Sequence, residues 1–302
     1  MSPLNAGSVS LGLSLPPGYA RDAVAQLKRT ARLAIDAGFD GVTLSEHHGG
    51  FPGYPPTPML LSALLLEHLP AGWAIPCPTI LPLRPPALVA EELAWLAAAH
   101  PGRVGAGFVP GYQERDFAVA AADFATRRSR HWTALAEVTA ALRGENGLRD
   151  DPAVAQCAPS GLPIVTGVAG QVGARRAAEA GAGLLLMSLT PAADLAPLVQ
   201  AHRDAGGGGP LVLIRRVGSV DGMVERWRSR GSGSWLAAEP AAIVSGPPEE
   251  WADTLAADLR ESGATALNVR LDGAAAETHT RIERFAAQVL PELRSGIASP
   301  AR

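Results

Sequence analysis

The segment "PIVTGVAGQVGARRAAEAGAGLLLMS", Pro163 to Ser188, holds a complete structural unit in 26 residues. Pro163 to Thr166 is a short apolar run, and Gly167 and Gly170 punctuate its end. Gln171 to Ala180 then carries small apolar residues at helical spacing, and Gly183 to Ser188 is a second apolar run of strand length. Strand, helix, strand with turns this tight predicts a right-handed βαβ unit, whose two strands lie parallel.

The same rhythm extends in both directions. Upstream, strands are predicted at Val9 to Leu15, Val42 to Ser45, Trp73 to Cys77 and Val104 to Phe108. Helices follow them at Ala20 to Ala37, Thr57 to Leu69, Pro85 to Ala99 and Thr126 to Arg143. Downstream come a helix at Ala193 to Ala205, a strand at Leu211 to Arg216, a helix at Glu249 to Ser262, a strand at Ala266 to Arg270 and a last helix at Thr278 to Leu293. Eight strand and helix pairs with no break in composition predict an α/β protein, one (β/α)8 barrel domain over residues 1–302. A doubly wound open sheet is the rival pattern. The stretch Gly144 to Gly161 reads as polar and irregular, and Asp221 to Ala242 as a loop insertion before the eighth strand.

Composition narrows the function classes. The net charge is −3 with acids and bases mixed throughout, so no basic face is available for nucleic acid. Two cysteines, Cys77 and Cys157, stand too far apart for a ligand pair and suit a reducing setting. With no basic, apolar leader and no run of 18 apolar residues, a soluble cytoplasmic protein without membrane partners is expected. Phosphate-binding Walker, serine-nucleophile G-x-S-x-G and zinc-binding H-E-x-x-H patterns are missing. Gly105, Gly107 and Gly111 do not fit the dinucleotide fingerprint, because Pro110 occupies its third glycine position.

In a (β/α)8 barrel the strand ends converge on one mouth, where chemistry is done. The second strand ends there in "SEHHGG", Ser45 to Gly50. Glu46, His47 and His48 at that place suit a metal site, an acid/base site or a polar turn. Alternation along a strand forbids both histidines from facing the axis. The other histidines, His68, His100, His131, His202 and His279, fall in predicted helices or at their ends, so no further metal ligands converge and none is expected. The third strand runs into "IPCPTILPLRPP", whose prolines cannot donate to a barrel ladder; a cis bond and bulge at Pro76 or Pro78 would account for them. Gly167 and Gly170 lead into a helix whose first N–H groups suit an anionic group.

Several pieces taken together resemble the bacterial luciferase-like flavin monooxygenases. They are "SEHHGG", "LPLRPPALVAEELAWLAAAHPGRVGAGFVPGY" (Leu81 to Tyr112), "ERDFAVAAADFATRRSRHW" (Glu114 to Trp132), "PIVTGVAG" and "FAAQVLPELR" (Phe285 to Arg294). The resemblance implies a barrel enzyme, a homodimer, that takes reduced FMN from a separate flavin reductase and uses oxygen on a small organic substrate. It implies His47 as the catalytic histidine at the flavin edge, supported by Glu46 and His48. A histidine with its usual pKa of about 6.5 can exchange a proton near neutrality.

It further implies a cis Cys77–Pro78 bond, with Cys77, Pro78 and Thr79 against the ring and Gly107, Phe108 and Val109 lining it. Thr166, Gly167, Val168, Ala169, Gly170 and Ser188 fall near the ribityl phosphate. The chain departs from the family where Pro110 replaces an arginine for the phosphate, which leaves Arg128 and the N–H groups around Gly167 and Gly170 for that task. A sister branch of the resemblance uses the deazaflavin F-420 for hydride exchange. A third branch is a non-catalytic subunit that serves in flavin binding or assembly.

Overall fold

The computed structural model describes residues 2–145, 147–223 and 242–298. Its parallel strands are β1 (Val9–Leu13), β2 (Gly41–Leu44), β3 (Trp73–Pro76), β4 (Thr79–Ile80), β5 (Ala106–Val109), β6 (Ile164–Gly167), β7 (Gly183–Leu186), β8 (Leu211–Val217), β9 (Ile243–Val244) and β10 (Ala266–Leu271). The order around the sheet is β3-β2-β1-β10-β8-β7-β6-β5-β4, with β9 paired to β8. The two ends of that order, β3 and β4, are consecutive pieces of one strand position, so the ring is a (β/α)8 barrel and not an open sheet.

The strand break falls at the predicted place. Cys77–Pro78 is cis. Before it, Ile75 pairs with inward-facing Thr43; after it, Ile80 pairs with Val109 and Thr79 with Phe108. Inward positions thus pass from odd to even numbers, the one-residue offset of a bulge.

Around the barrel lie α1 (Ala20–Asp36), α2 (Pro58–His68), α3 (Pro86–Ala99), α4 (Glu114–Val119), α5 (Arg127–Leu142), α6 (Pro152–Cys157), α7 (Gln171–Glu179), α8 (Ala192–Asp204), α9 (Trp251–Ser262), α10 (Thr278–Gln288) and α11 (Leu290–Ala298). Three features depart from the sequence reading. The stretch read as irregular contains α6, started by the Asp151 carboxylate, which accepts the N–H groups of Ala153 and Val154 at 2.9 Å. A short helix, α4, precedes α5. The last helix is two, because Pro291 offers no N–H to the carbonyl of Ala287 and the chain turns at Val289. Of the expected insertion at Asp221 to Ala242, residues 224–241 lie outside the described residues.

Two apolar layers hold this frame. The larger sits between strands and helices and includes Leu44, Leu65, Leu93, Phe108, Leu135, Leu186 and Phe285. The smaller fills the barrel with Leu4, Trp73, Ile75, Cys77, Val165, Leu185, Val212, Ile214 and Ala266. At the floor the Trp73 indole occupies the space where Gly41 lacks a Cβ. Higher up, the Asn268 amide donates to the hydroxyls of Ser10 (2.9 Å) and Thr43 (3.1 Å), tying β10, β1 and β2 across the interior. Above that layer the inward positions become charged.

Candidate active site

Glu46, His47 and His48 leave β2 at the mouth, and the two histidines part company. His47 is almost fully buried, 5% exposed. Its Nδ1 lies 2.7 Å from Asp116 Oδ2 and its Nε2 3.0 Å from the Tyr112 hydroxyl. A carboxylate can only accept, so Nδ1 carries the hydrogen and Nε2 of the neutral ring accepts from Tyr112. Phe51 stacks on the imidazole at 4.3 Å between centroids, and Tyr54 meets it edge-on at 4.8 Å. The ring is therefore fixed in tautomer and plane, with its accepting nitrogen turned toward a half-exposed tyrosine.

Asp116 is the residue that the sequence reading missed. It is fully buried on α4, where its second oxygen accepts the His48 N–H at 2.7 Å. Its neighbours dock the helix: Arg115 donates to the Gly49 carbonyl, and Phe117 packs beneath Gly111 and against Phe124. The local signal was weak, since Asp116 is one of 29 acidic residues and α4 is too short for a periodic pattern. Tyr112, Phe51 and Tyr54 went unassigned because each lies on a loop, where no period marks its facing.

His48 turns to the outside of the barrel. Its Nε2 lies 3.1 Å from Glu46 Oε1, and this hydrogen bond raises its pKa above the usual histidine value, against the opposing effect of partial burial. The other Glu46 oxygen accepts the Ile80 N–H at 2.6 Å, while the Glu46 N–H donates to the Pro78 carbonyl at 3.0 Å. Glu46 thus clamps the split strand to β2. His48 and Glu46 border a cleft of about 460 Å³ with Met59, Leu60, Leu83 and Arg84, outside the mouth.

The other expected ligand residues divide by the facing of their strands. Cys77, Gly107, Val109 and Gly167 face inward: the Cys77 sulfur takes the place of a Cβ at Gly107, and Val109 lies against Gly167. Burial pushes the Cys77 thiol up to about 12, so it stays protonated. Thr79 and Phe108 pair side by side on the outward face. Thr166 also turns outward, where its hydroxyl donates to the Phe108 carbonyl (3.1 Å) and meets His131 Nε2 at 2.8 Å. Only backbone atoms of these three can touch a ligand in the mouth. Val168 is buried in the outer core, Ala169 is exposed, Ser188 is buried after β7, and Arg128 is exposed in the first turn of α5. Gly170 starts α7 with no side-chain cap, and no atom stands within 4 Å of the place its Cβ would take. Among the described residues, no three His, Cys, Asp or Glu side chains are grouped to hold a metal ion.

The model of the luciferase-like monooxygenase family matches residues 6–230. The chain belongs to that family. Its members are oxidoreductases, monooxygenases among them. No curated protein matches the chain by sequence. Solved structures share the fold. The monooxygenase RslO1 from Streptomyces bottropensis superposes with a TM-score of 0.75 at 20% identity, over 94% of this chain and 99% of that one. An F420-dependent secondary alcohol dehydrogenase, solved with an F420–acetone adduct, gives 0.74 at 16%, over 95% and 98%. The oxygenating constituent of 3,6-diketocamphane monooxygenase from the CAM plasmid of Pseudomonas putida, solved with FMN, gives 0.71 at 16%, over 95% and 98%. Among the described residues, no helix is long and apolar enough to cross a membrane.

Proposed function

We propose that this family member is a monooxygenase that receives reduced FMN from a separate reductase and uses molecular oxygen to oxygenate a small organic substrate. The observation that carries this reading is His47, held by the buried Asp116 at the barrel mouth with Nε2 set toward Tyr112. Bound there, reduced FMN would supply the electrons that activate oxygen.

The residues present fit such a group. The inward faces of β5 and β6 offer Gly107, Val109 and Gly167, a wall of small and apolar residues for a flat ring. The uncapped start of α7 at Gly170 has open space and N–H groups for a phosphate, and Arg128, exposed in the first turn of α5, is the cation we assign to it in place of the arginine replaced by Pro110. His47 exchanges a proton at Nε2. Asp116 keeps the hydrogen on Nδ1 and stabilises the imidazolium when Nε2 is protonated. Phe51, Tyr54 and Tyr112 restrict water around that nitrogen, and Glu46 holds the Pro78 carbonyl in register with β2.

A homodimer is the assembly we favour, supported by Leu60 on α2 and by Leu88 and Trp95 on α3, which are 60%, 52% and 56% exposed. The second reading is hydride exchange with F-420, supported by Pro110 at the phosphate position and by the F420-dependent dehydrogenase among the structural neighbours. Anaerobic fluorescence titration with reduced FMN and with F-420, followed by oxygen uptake, separates the two. Reduced FMN should bind and support substrate-dependent uptake; tight F-420 binding with no FMN binding would overturn the first reading.

A further inference from the structure

Three arginines end the seventh and eighth strand positions, and their charges are met differently. Arg215 faces outward and gives its Nε to Asp258 at 2.5 Å. Arg216 and Arg270 face inward and are register partners on adjacent parallel strands, so two guanidinium groups stand side by side at the barrel mouth. Arg216 bonds Asp272 at 3.1 Å and the Tyr54 hydroxyl, and although burial works against its charge these two partners hold its pKa above the ordinary arginine value.

Arg270 feels the same Tyr54 and Asp272 but bonds neither carboxylate oxygen of Asp272, which pairs with Arg216. Its stem and guanidinium lie over Gly12, where a Cβ would stand 3.0 Å from Cγ and 3.1 Å from Cζ, and its Nη2 donates to the Ser45 hydroxyl at 2.7 Å. Among the described residues no carboxylate forms an ion pair with Arg270; Glu46 is engaged with His48 and Ile80, and Asp116 with His47 and His48. Burial, with the charge of Arg216 added, holds its pKa below the ordinary value against the opposing pull of Tyr54 and Asp272. Like charges placed side by side repel, and arginine cannot relieve this by losing its proton. A glycine on β1 and a serine just past β2 accommodate the group, although a neutral side chain would pack there at less cost.

We propose that Arg270, with Arg216 beside it, is an anion-binding subsite in the mouth that takes a planar or forked anionic edge, borne by the substrate as a carboxylate or sulfonate or by a reduced flavin as its N1 and O2 atoms after loss of the N1 proton. The fork of an arginine suits two adjacent acceptor atoms of such a group. Tyr54 touches both the His47 ring and Arg216, so the subsite shares a wall with the proposed proton-transfer group. This inference rests on the flavin reading for its role, but its existence can be measured without a cofactor.

The melting temperature of the full chain is followed during titration with sodium methanesulfonate and sodium acetate, at an ionic strength held constant with chloride. The oxyanions should raise Tm saturably and chloride should not. Arg270→Gln should weaken that response at least tenfold, while its own Tm without ligand stays equal to or above wild type, since one of two neighbouring like charges is gone. A merely structural tie to Ser45 predicts a lower Tm instead. Arg32→Gln, which changes an exposed cation on α1, should leave the response unchanged. Should Arg270→Gln not fold, Arg270→Lys keeps the charge without the fork and must show a weakened response.

A second arm measures anaerobic affinity for oxidised and reduced FMN. A tenfold loss in Arg270→Gln confined to reduced FMN assigns the anion to the flavin; unchanged flavin affinity with a lost methanesulfonate response assigns it to the substrate. The proposal is overturned if the Arg270 variants match wild type in both arms, or if wild type responds to neither small oxyanion and binds both FMN forms equally. Should wild type bind no flavin yet answer to oxyanions, the subsite stands and the flavin reading falls.

Discussion

The floor and the mouth of this barrel are built from the same eight strand positions, yet they obey opposite rules. At the floor, Trp73, Leu4 and Val165 fill the interior, and Gly41 leaves room for the indole. At the mouth, a few residues further along the strands, the inward positions are Ser45, Arg216 and Arg270, with His47 beyond them. The floor gains stability from apolar area removed from water. The mouth holds buried charges that cost stability unless each is matched, and its matches are arranged unequally. Residues that stabilise the fold are thus separated along the barrel axis from those proposed to do chemistry.

Truncation tests that separation most severely at the floor. Trp73→Ala should lower unfolding free energy by about 3–5 kcal/mol in denaturant titration, while any activity left at low temperature keeps its pH profile. If activity falls before stability does, the floor is not the inert half.

At the mouth, His47→Asn keeps a donor for Asp116 and should leave cofactor affinity within about threefold, but lower kcat by about 10²–10⁴. Unchanged turnover would remove His47 from the proton-transfer role.

Outside both regions, on α5 against outward-facing Thr166, stands His131, whose pKa burial lowers to about 4. The unfolded chain binds this proton near pH 6.5 and the folded chain does so only near pH 4, so stability present above pH 6.5 is lost as pH falls through that window. His131→Leu should recover about 2–3 kcal/mol at pH 4 relative to wild type, measured against the same difference at pH 8. A difference independent of pH would mean that the ring's packing matters and its titration does not.

The smallest effect belongs to His48. Its raised pKa contributes stability that is full below pH 6.5 and is lost as pH rises through the folded value. Glu46→Gln should remove that slope, worth under about 1 kcal/mol, as seen in Tm between pH 6 and 9.

Much of this frame is legible along the chain because strands and helices impose local periods. The apolar runs at Val9, Val42, Trp73 and Leu211 and the glycine punctuation around Gly167 are repeated short-range signals, and they placed all eight strand positions. Short elements escaped, since α4 and α6 span less than two turns and show no period. Glu46, His47 and His48 were visible as a polar cluster ending an apolar strand. Their division of labour was only half visible: alternation requires that they face apart, without saying which one turns inward.

Local sequence was enough for the strand and helix repeat, for the polar cluster at the end of the second strand, and for the irregularity at Cys77–Pro78. Tertiary structure alone decided that Asp116, some 70 residues beyond His47, sets its tautomer. It alone decided that Arg216 and Arg270 stand side by side, and that Thr166 spends its hydroxyl on His131 instead of the mouth. The physical reason is range. Backbone periodicity is written between neighbours, whereas a hydrogen bond or a pair of like charges across a closed barrel exists only after the strands have taken their register.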